Sequence, residues 1–241
     1  MNPELEDGTM RRMLHSAPGA LAEVGDAVLR GTLSIIGDAT FTRVSRTSAL
    51  GRYERAGHEI EDVTEIRALD VSVPDRVVGR ACSVWTAVAG ATGVATSATG
   101  LVGFAVDIPA LLANNLMAIG EVASIYGFDV GEPDEHAYAM AVLFSQDRDS
   151  SRPSAAAYMS EIARALQEGA SWEEIRDEKA GQWLRRAARE LAWYLIKRKL
   201  AGIVPGVGSL VAGGVNAHFT ARTCGEARTV YRERFVAEPR E

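Results

Sequence analysis

A long stretch without charged side chains limits what this chain can fold into. Residues 81–106 read ACSVWTAVAGATGVATSATGLVGFAV and contain no Asp, Glu, Lys or Arg. A helix of about 20 apolar residues crosses a bilayer, so the stretch is long enough to do so. It nevertheless carries four glycines and six Ser or Thr, and it lacks the Leu, Ile and Phe density of an ordinary span. Length alone therefore does not identify it as a membrane helix.

A second uncharged stretch, residues 200–221, follows the basic cluster Lys197–Lys199 and is also rich in glycine. Small residues recur at four-residue spacing in the first stretch, as in Ala89, Gly93 and Ser97, which lets two helix backbones approach closely. No sustained β alternation occurs anywhere in the chain. We therefore predict an all-α, compact multi-helix bundle in which the two Gly-rich apolar helical segments pack together.

Composition excludes several classes of function. The net charge of −6 and the pI of about 5.4 argue against a nucleic-acid binder, whose surface is normally basic. The four histidines and two cysteines show no metal-ligand spacing, so we expect no metal. No GxGxxG follows a strand and no GxxxxGK[ST] occurs, so we expect no cofactor. Cys82 and Cys224 are expected to be buried thiols, with a disulfide between them as the alternative.

The pattern along the chain predicts one domain. Residues 1–9 read as a disordered tail and residues 10–238 as a single helical domain, with helices over 10–36 and 59–70 and a loop over 37–53. Pro74 predicts the start of a further helix. The N-terminal sequence MNPELEDGTMRR is acidic and lacks the apolar core of a secretory signal, so we expect a cytoplasmic protein.

Asp107 is the carboxylate of greatest interest, because it lies at the end of the first uncharged stretch. In Asp107-Ile108-Pro109, Asp suits a helix N-cap and Pro suits the first turn, which predicts that a helix begins here. The alternative is a buried acid paired with a polar group of the second stretch, either Asn216 or His218. A buried ionisable group within an apolar bundle is a candidate catalytic residue. For His218, a satisfied core histidine is the competing interpretation.

Two further groups of polar residues have two interpretations each. Asn114, Asn115 and Glu121 lie on the apolar helix predicted over 110–126, either as interhelical hydrogen-bonding residues or as a shared binding spot. Trp193, Lys197, Arg198 and Lys199 either form an aromatic and basic membrane contact or belong to an amphipathic helix packed on the core.

Two segments resemble the EcsC protein family. Residues 90–129 match its glycine-rich run, Asp-Ile/Leu-Pro element, apolar helix and Tyr-Gly-Phe/Tyr-Asp ending. Residues 199–235 match its Pro-x-x-Gly turn, small-residue helix, Asn and aromatic-basic terminal helix. The resemblance implies one helical domain but no defined reaction. The family takes its name from an operon that encodes an ABC transporter, which hints at membrane-associated work.

Three hypotheses about function follow. The first is an amphitropic or membrane-associated accessory protein that interacts with lipid or with a membrane protein complex, peripheral to the inner face of the cell membrane. The second is a soluble helical hydrolase for a hydrophobic substrate, in which Asp107, Asn216 and His218 converge. The third is a non-catalytic scaffold that forms homo-oligomers through its small-residue faces.

Overall fold

The computed structural model describes residues 39–96, 100–144, 161–162, 164–165, 168–170, 172–175, 178–200 and 208–237. Most of these residues are helical and none lies in a strand, which confirms the all-α prediction. The helix predicted over 10–36 and the tail over 1–9 lie outside the described residues. The α-helices are α1 (Ala39–Arg55), α2 (Ser72–Thr96), α3 (Gly100–Ile125), α4 (Pro133–Phe144), α5 (Trp172–Ile175), α6 (Lys179–Leu200) and α7 (Gly208–Ala237).

The loop predicted over 37–53 is wrong, because these residues form α1. The segment has few apolar residues, but Phe41, Ser45, Ala49 and Tyr53 recur every four positions and are all buried. A stripe this narrow suffices when a neighbouring helix covers it. The helix predicted over 59–70 shortens to a single 3₁₀ element, Val63–Ala68, which Asp62 caps by accepting a hydrogen bond from the Thr64 N–H.

The helix start predicted at Asp107 is also wrong. Helix α3 begins at Gly100, so Asp107 and Pro109 lie inside it. Asp107 is buried and is therefore not an N-cap. Proline within a helix removes one backbone hydrogen bond, and here the surrounding core tolerates that loss. The helix predicted from Pro74 is confirmed as α2.

Helix α7 packs against both α2 and α3, in opposite directions. It is antiparallel to α2, because Arg232 pairs with Asp75 at one end while Gly213 meets Gly90 towards the other. It is parallel to α3, because Asn216 contacts Asp107 and the ring of Phe235 contacts the ring of Tyr126. The uncharged parts of the three helices therefore lie at the same end of the bundle.

Helices α2 and α7 approach closely where their glycines meet. A Cβ atom built on Gly213 would lie 2.8 Å from the carbonyl oxygen of Gly90 and 2.6 Å from Cγ2 of Val94. No side chain fits there without movement of backbone. The close contact is thus made within one chain, by glycines that the scaffold hypothesis would assign to a contact between chains.

The two cysteines lie on these same helices. Cys82 of α2 and Cys224 of α7 are free thiols, and the disulfide alternative is not the state of this structure; Cys224 is buried as expected, whereas Cys82 is only half-buried. A hydrogen bond between the two thiols lowers the pKa of Cys82, while the same bond together with burial raises that of Cys224 well above its usual range.

Candidate functional site

The bundle has two ends of different chemistry. At one end, residues 81–96 of α2, 100–106 of α3 and 208–221 of α7 contain no Asp, Glu, Lys or Arg. We call this the uncharged end. At the other end, which we call the charged end, α2 begins, α3 and α7 finish, and ion pairs join the elements.

Two helices are long and apolar enough to cross a membrane by length and composition alone. They are α2 over residues 72–95 and α3 over residues 107–125. The core helix of a soluble protein passes the same test, so this is weak evidence of spanning. The two helices differ in burial: 72% of the most apolar 18-residue segment of α3 is buried within the protein, but only 28% of that of α2.

Helix α2 presents an apolar surface to solvent. Val84 is 49% exposed, and Val88 and Val94 are each 43% exposed. Exposed alanines, Ala87 and Ala91, lie between them. Arg76, Arg80, Val84 and Val88 follow one another at intervals of four residues, so they share one face of the helix. That face changes from basic to apolar within about 6 Å of helix rise.

Glu121 is the centre of a polar cluster that joins three helices. Its carboxylate is 1% exposed. The Ser48 hydroxyl donates to Oε1 over 2.6 Å, the Arg52 guanidinium pairs with both oxygens, and the Trp85 indole N–H donates to Oε2. So many donors fix the carboxylate and hold Arg52 in one position. Sequence reasoning singled out Glu121 but missed these partners, which come from α1 and α2.

Asp107 and Asn216 meet in the core near the uncharged end. Asn216 Nδ2 donates to Asp107 Oδ1 over 3.4 Å, and both side chains are buried. His218 does not join them, because it is exposed. Residues two apart on a helix point about 200° away from each other, so His218 faces the side opposite Asn216. The core-histidine interpretation is therefore wrong, and the three candidate catalytic residues do not converge.

The hydrogen bond described for Asn115 lies within α3 and does not join two helices. The Asn115 amide is buried and donates to the carbonyl of Leu111, one turn earlier on the same helix, over 2.7 Å. Asn115 Oδ1, Asn114 Nδ2 and Asn216 Oδ1 are buried without a hydrogen-bond partner among the described residues. The described hydrogen-bond partners of Glu121 are Ser48, Arg52 and Trp85, and neither asparagine is among them.

The Tyr-Gly-Phe-Asp segment, residues 126–129, holds the charged end together. Tyr126 donates to Asp75 over 2.7 Å, and Gly127 has a φ of 79°, a value that glycine adopts readily. Asp129 pairs with Arg46. The Phe128 ring lies 4.8 Å from the Arg67 guanidinium and 4.1 Å from that of Arg234. These contacts are structural and stabilise the turn that ends α3.

The proposed aromatic and basic membrane contact is described only in part. Arg198 is exposed, and its guanidinium lies 5.0 Å from the Tyr194 ring centre. The side chains of Trp193, Lys197 and Lys199 lie outside the described part of α6. Across the described residues, no three His, Cys, Asp or Glu side chains form a group that would hold a metal ion.

Comparisons with known proteins support the family resemblance that residues 90–129 and 199–235 indicate. A model of the EcsC protein family matches residues 19–236. Protein EcsC of Bacillus subtilis (strain 168) is 28% identical over 172 residues, which are 71% of this chain and 67% of that protein. No solved structure matches significantly.

Proposed function

The chain belongs to the EcsC family, and from that premise we propose that it is an amphitropic protein that binds reversibly to an anionic membrane surface. The uncharged end lies against the lipid, and the protein serves a membrane process as an accessory. The observation that carries this proposal is the exposed apolar face of α2, where Val84 and Val88 are uncovered in a helix free of charge beyond Arg80.

Charge favours an anionic membrane over a protein partner for this face. Exposed contiguous apolar surface is unusual on a soluble monomer and marks interaction sites. Here it continues directly into Arg76 and Arg80, although the chain as a whole carries a net charge of −6. An apolar face bordered by arginines suits the boundary between acyl chains and phosphate headgroups. The glycines and hydroxyls of α2 weaken its insertion, which favours peripheral over spanning association.

Sedimentation with vesicles tests the proposal. The full chain is expected to pellet with vesicles that contain phosphatidylglycerol and to remain in the supernatant with pure phosphatidylcholine. Val84→Asp with Val88→Asp should reduce pelleting at least about tenfold, because each charge must leave water for the bilayer. The matched control is Val236→Asp, an exposed valine (62%) near the charged end, which should change pelleting little.

Washing of cell membranes separates the modes of binding. High salt should release the protein, because screening weakens the arginine–headgroup attraction. Resistance to carbonate would show insertion and contradict peripheral binding. Recovery of the protein wholly in the soluble fraction, together with no pelleting on anionic vesicles, would refute membrane association.

A further inference from the structure

A basic cavity lies between the end of α1 and the beginning of α2. Its volume is about 730 Å³, within the range of about 300–1,000 Å³ that is usual for small-ligand sites. None of the described residues that line it is acidic. Its lining consists of four arginines, a histidine and three small apolar residues: Arg52, Arg55, Arg76, Arg80, His58, Ala56, Val73 and Val77.

The four arginines differ in how they are held. Arg52 is anchored from behind by Glu121, so that its charge is balanced and its position fixed. Arg76 donates to the Ser72 hydroxyl over 3.3 Å. Arg55, Arg76 and Arg80 are exposed, and none forms an ion pair within the described part of the chain. The nearby carboxylate of Asp75 is engaged by Arg232 and Tyr126.

Three guanidinium groups that have no ion-pair partner among the described residues surround one cavity, and they favour an anion there. A guanidinium presents a planar fork of N–H donors that matches the oxygens of a phosphate group. The apolar wall formed by Ala56, Val73 and Val77 would contact the carbon part of a phosphate ester.

We propose that this cavity binds the phosphate group of a phosphate ester, with Arg55, Arg76 and Arg80 as its ligands. If the proposed function holds, the ester is the headgroup of an anionic phospholipid, because Arg76 and Arg80 lie on the same face of α2 as the exposed valines. A soluble phosphate ester has the same chemistry and is the other source that the test distinguishes.

Calorimetric titration of the full chain with sn-glycerol 3-phosphate tests the cavity without a membrane. We expect saturable binding in the millimolar range or tighter. Arg55→Gln with Arg80→Gln should raise the Kd at least about tenfold, because two charge-assisted contacts are lost. Arg43→Gln with Arg222→Gln removes two exposed arginines elsewhere on α1 and α7 and should leave the Kd within about twofold. Equal loss in both variants, or no saturable binding by the wild-type chain, would overturn the proposal.

Vesicles that contain phosphatidylglycerol distinguish failure of the cavity proposal from failure of the proposed membrane binding. Arg55→Gln with Arg80→Gln should weaken both vesicle and glycerol phosphate binding, whereas Val84→Asp with Val88→Asp should weaken only vesicle binding. Glycerol phosphate binding without vesicle binding would mean a soluble ligand and would refute the membrane function and the headgroup assignment alone. Vesicle binding that survives the arginine substitutions, without glycerol phosphate binding, would refute the cavity proposal alone. Thermal unfolding of each variant identifies any that fails to fold.

Discussion

Helices α2 and α3 are similar in length and in apolar composition, yet the protein uses them differently. Helix α3 is the central helix: 72% of its most apolar 18-residue segment is buried, and its buried carboxylate Glu121 is held by donors from α1 and α2. Helix α2 covers one side of α3 and α7 and leaves its valines in solvent. Hydropathy therefore does not distinguish a core helix from a membrane-facing one. The distinction depends on whether other helices cover the apolar residues.

The largest loss of stability from a single substitution should come from Glu121 of α3. Replacing it with Gln leaves Arg52 partly buried without its charge partner, which we expect to lower the free energy of unfolding by about 3–5 kcal/mol. Denaturant unfolding measures the change. The control is Glu233→Gln on the exposed surface of α7, which should cost less than about 0.5 kcal/mol. Equal costs would mean that the Glu121 cluster contributes nothing specific.

Apolar truncation compares the two helices directly. Leu116 of α3 is fully buried, so Leu116→Ala should cost about 2–5 kcal/mol through lost burial and the cavity left behind. Val88→Ala on α2 should change stability by no more than about 0.5 kcal/mol. A large cost at Val88 would show that its face is covered, which would contradict its assignment to lipid.

Replacing a glycine with alanine should lower stability in α3 and raise it in α2. A Cβ atom at Gly120 of α3 would lie 2.6 Å from Ser45 Oγ and 2.7 Å from Phe41 Cζ, so Gly120→Ala should cost about 1–3 kcal/mol. At Gly79 of α2 nothing lies within 4 Å. Gly79→Ala should therefore stabilise the protein by up to about 1 kcal/mol, since alanine favours the helix. Melting temperatures of the two variants should move in opposite directions.

A smaller effect on stability is expected from the hydrogen bond that Tyr126, the residue after α3, donates to Asp75 of α2. Burial raises the pKa of Asp75, but bonds from Tyr126 and Arg232 lower it by more, so it lies below its ordinary value. A depressed carboxyl pKa gives stability that is present above the unfolded value of about 3.9 and is lost as the pH falls through the folded value. Tyr126→Phe should cost about 1 kcal/mol at neutral pH and progressively less below about pH 4.

The control for this variant is Tyr194→Phe on α6, where the hydroxyl lies far from Asp75 in sequence and the ring is only half buried. Its effect on stability should not depend on pH between 2 and 7 in the way expected for Tyr126→Phe. A cost at Tyr126 that stays constant with pH would indicate lost packing rather than a lost bond to Asp75.

The comparison also explains which features could be predicted from the sequence. Helix α2 was predictable because Pro74 and the uncharged stretch are local signals. Helix α1 gives a weak signal, because only two of its four buried residues, Phe41 and Tyr53, are large. They lie at opposite ends of the helix, and most residues between them are polar or small. Asp107 fits an N-cap in its local sequence, but Asn216, 109 positions away, satisfies it within a longer helix. Such pairing has no local signature.

The candidate sites follow the same rule. The arginines of the cavity were not predicted as a site, although Arg76 and Arg80 lie four residues apart just before the uncharged stretch. Their meeting with Arg52 and Arg55 depends on how α1 crosses α2, which the sequence does not encode locally. The partners of Glu121 are between 36 and 73 positions away and are hidden for the same reason.

The position of α7 between α2 and α3 constrains how the chain reaches its native state. The last described helix contacts Asp75 and Asp107, which are synthesised 157 and 109 residues before their partners Arg232 and Asn216. At about 5–20 residues per second, α2 and α3 wait several seconds on the ribosome with their inner faces uncovered. Contacts at such sequence separation also slow folding itself. During synthesis, therefore, the faces of α2 and α3 that contact α7 in the native structure stay without that cover until α7 has been made.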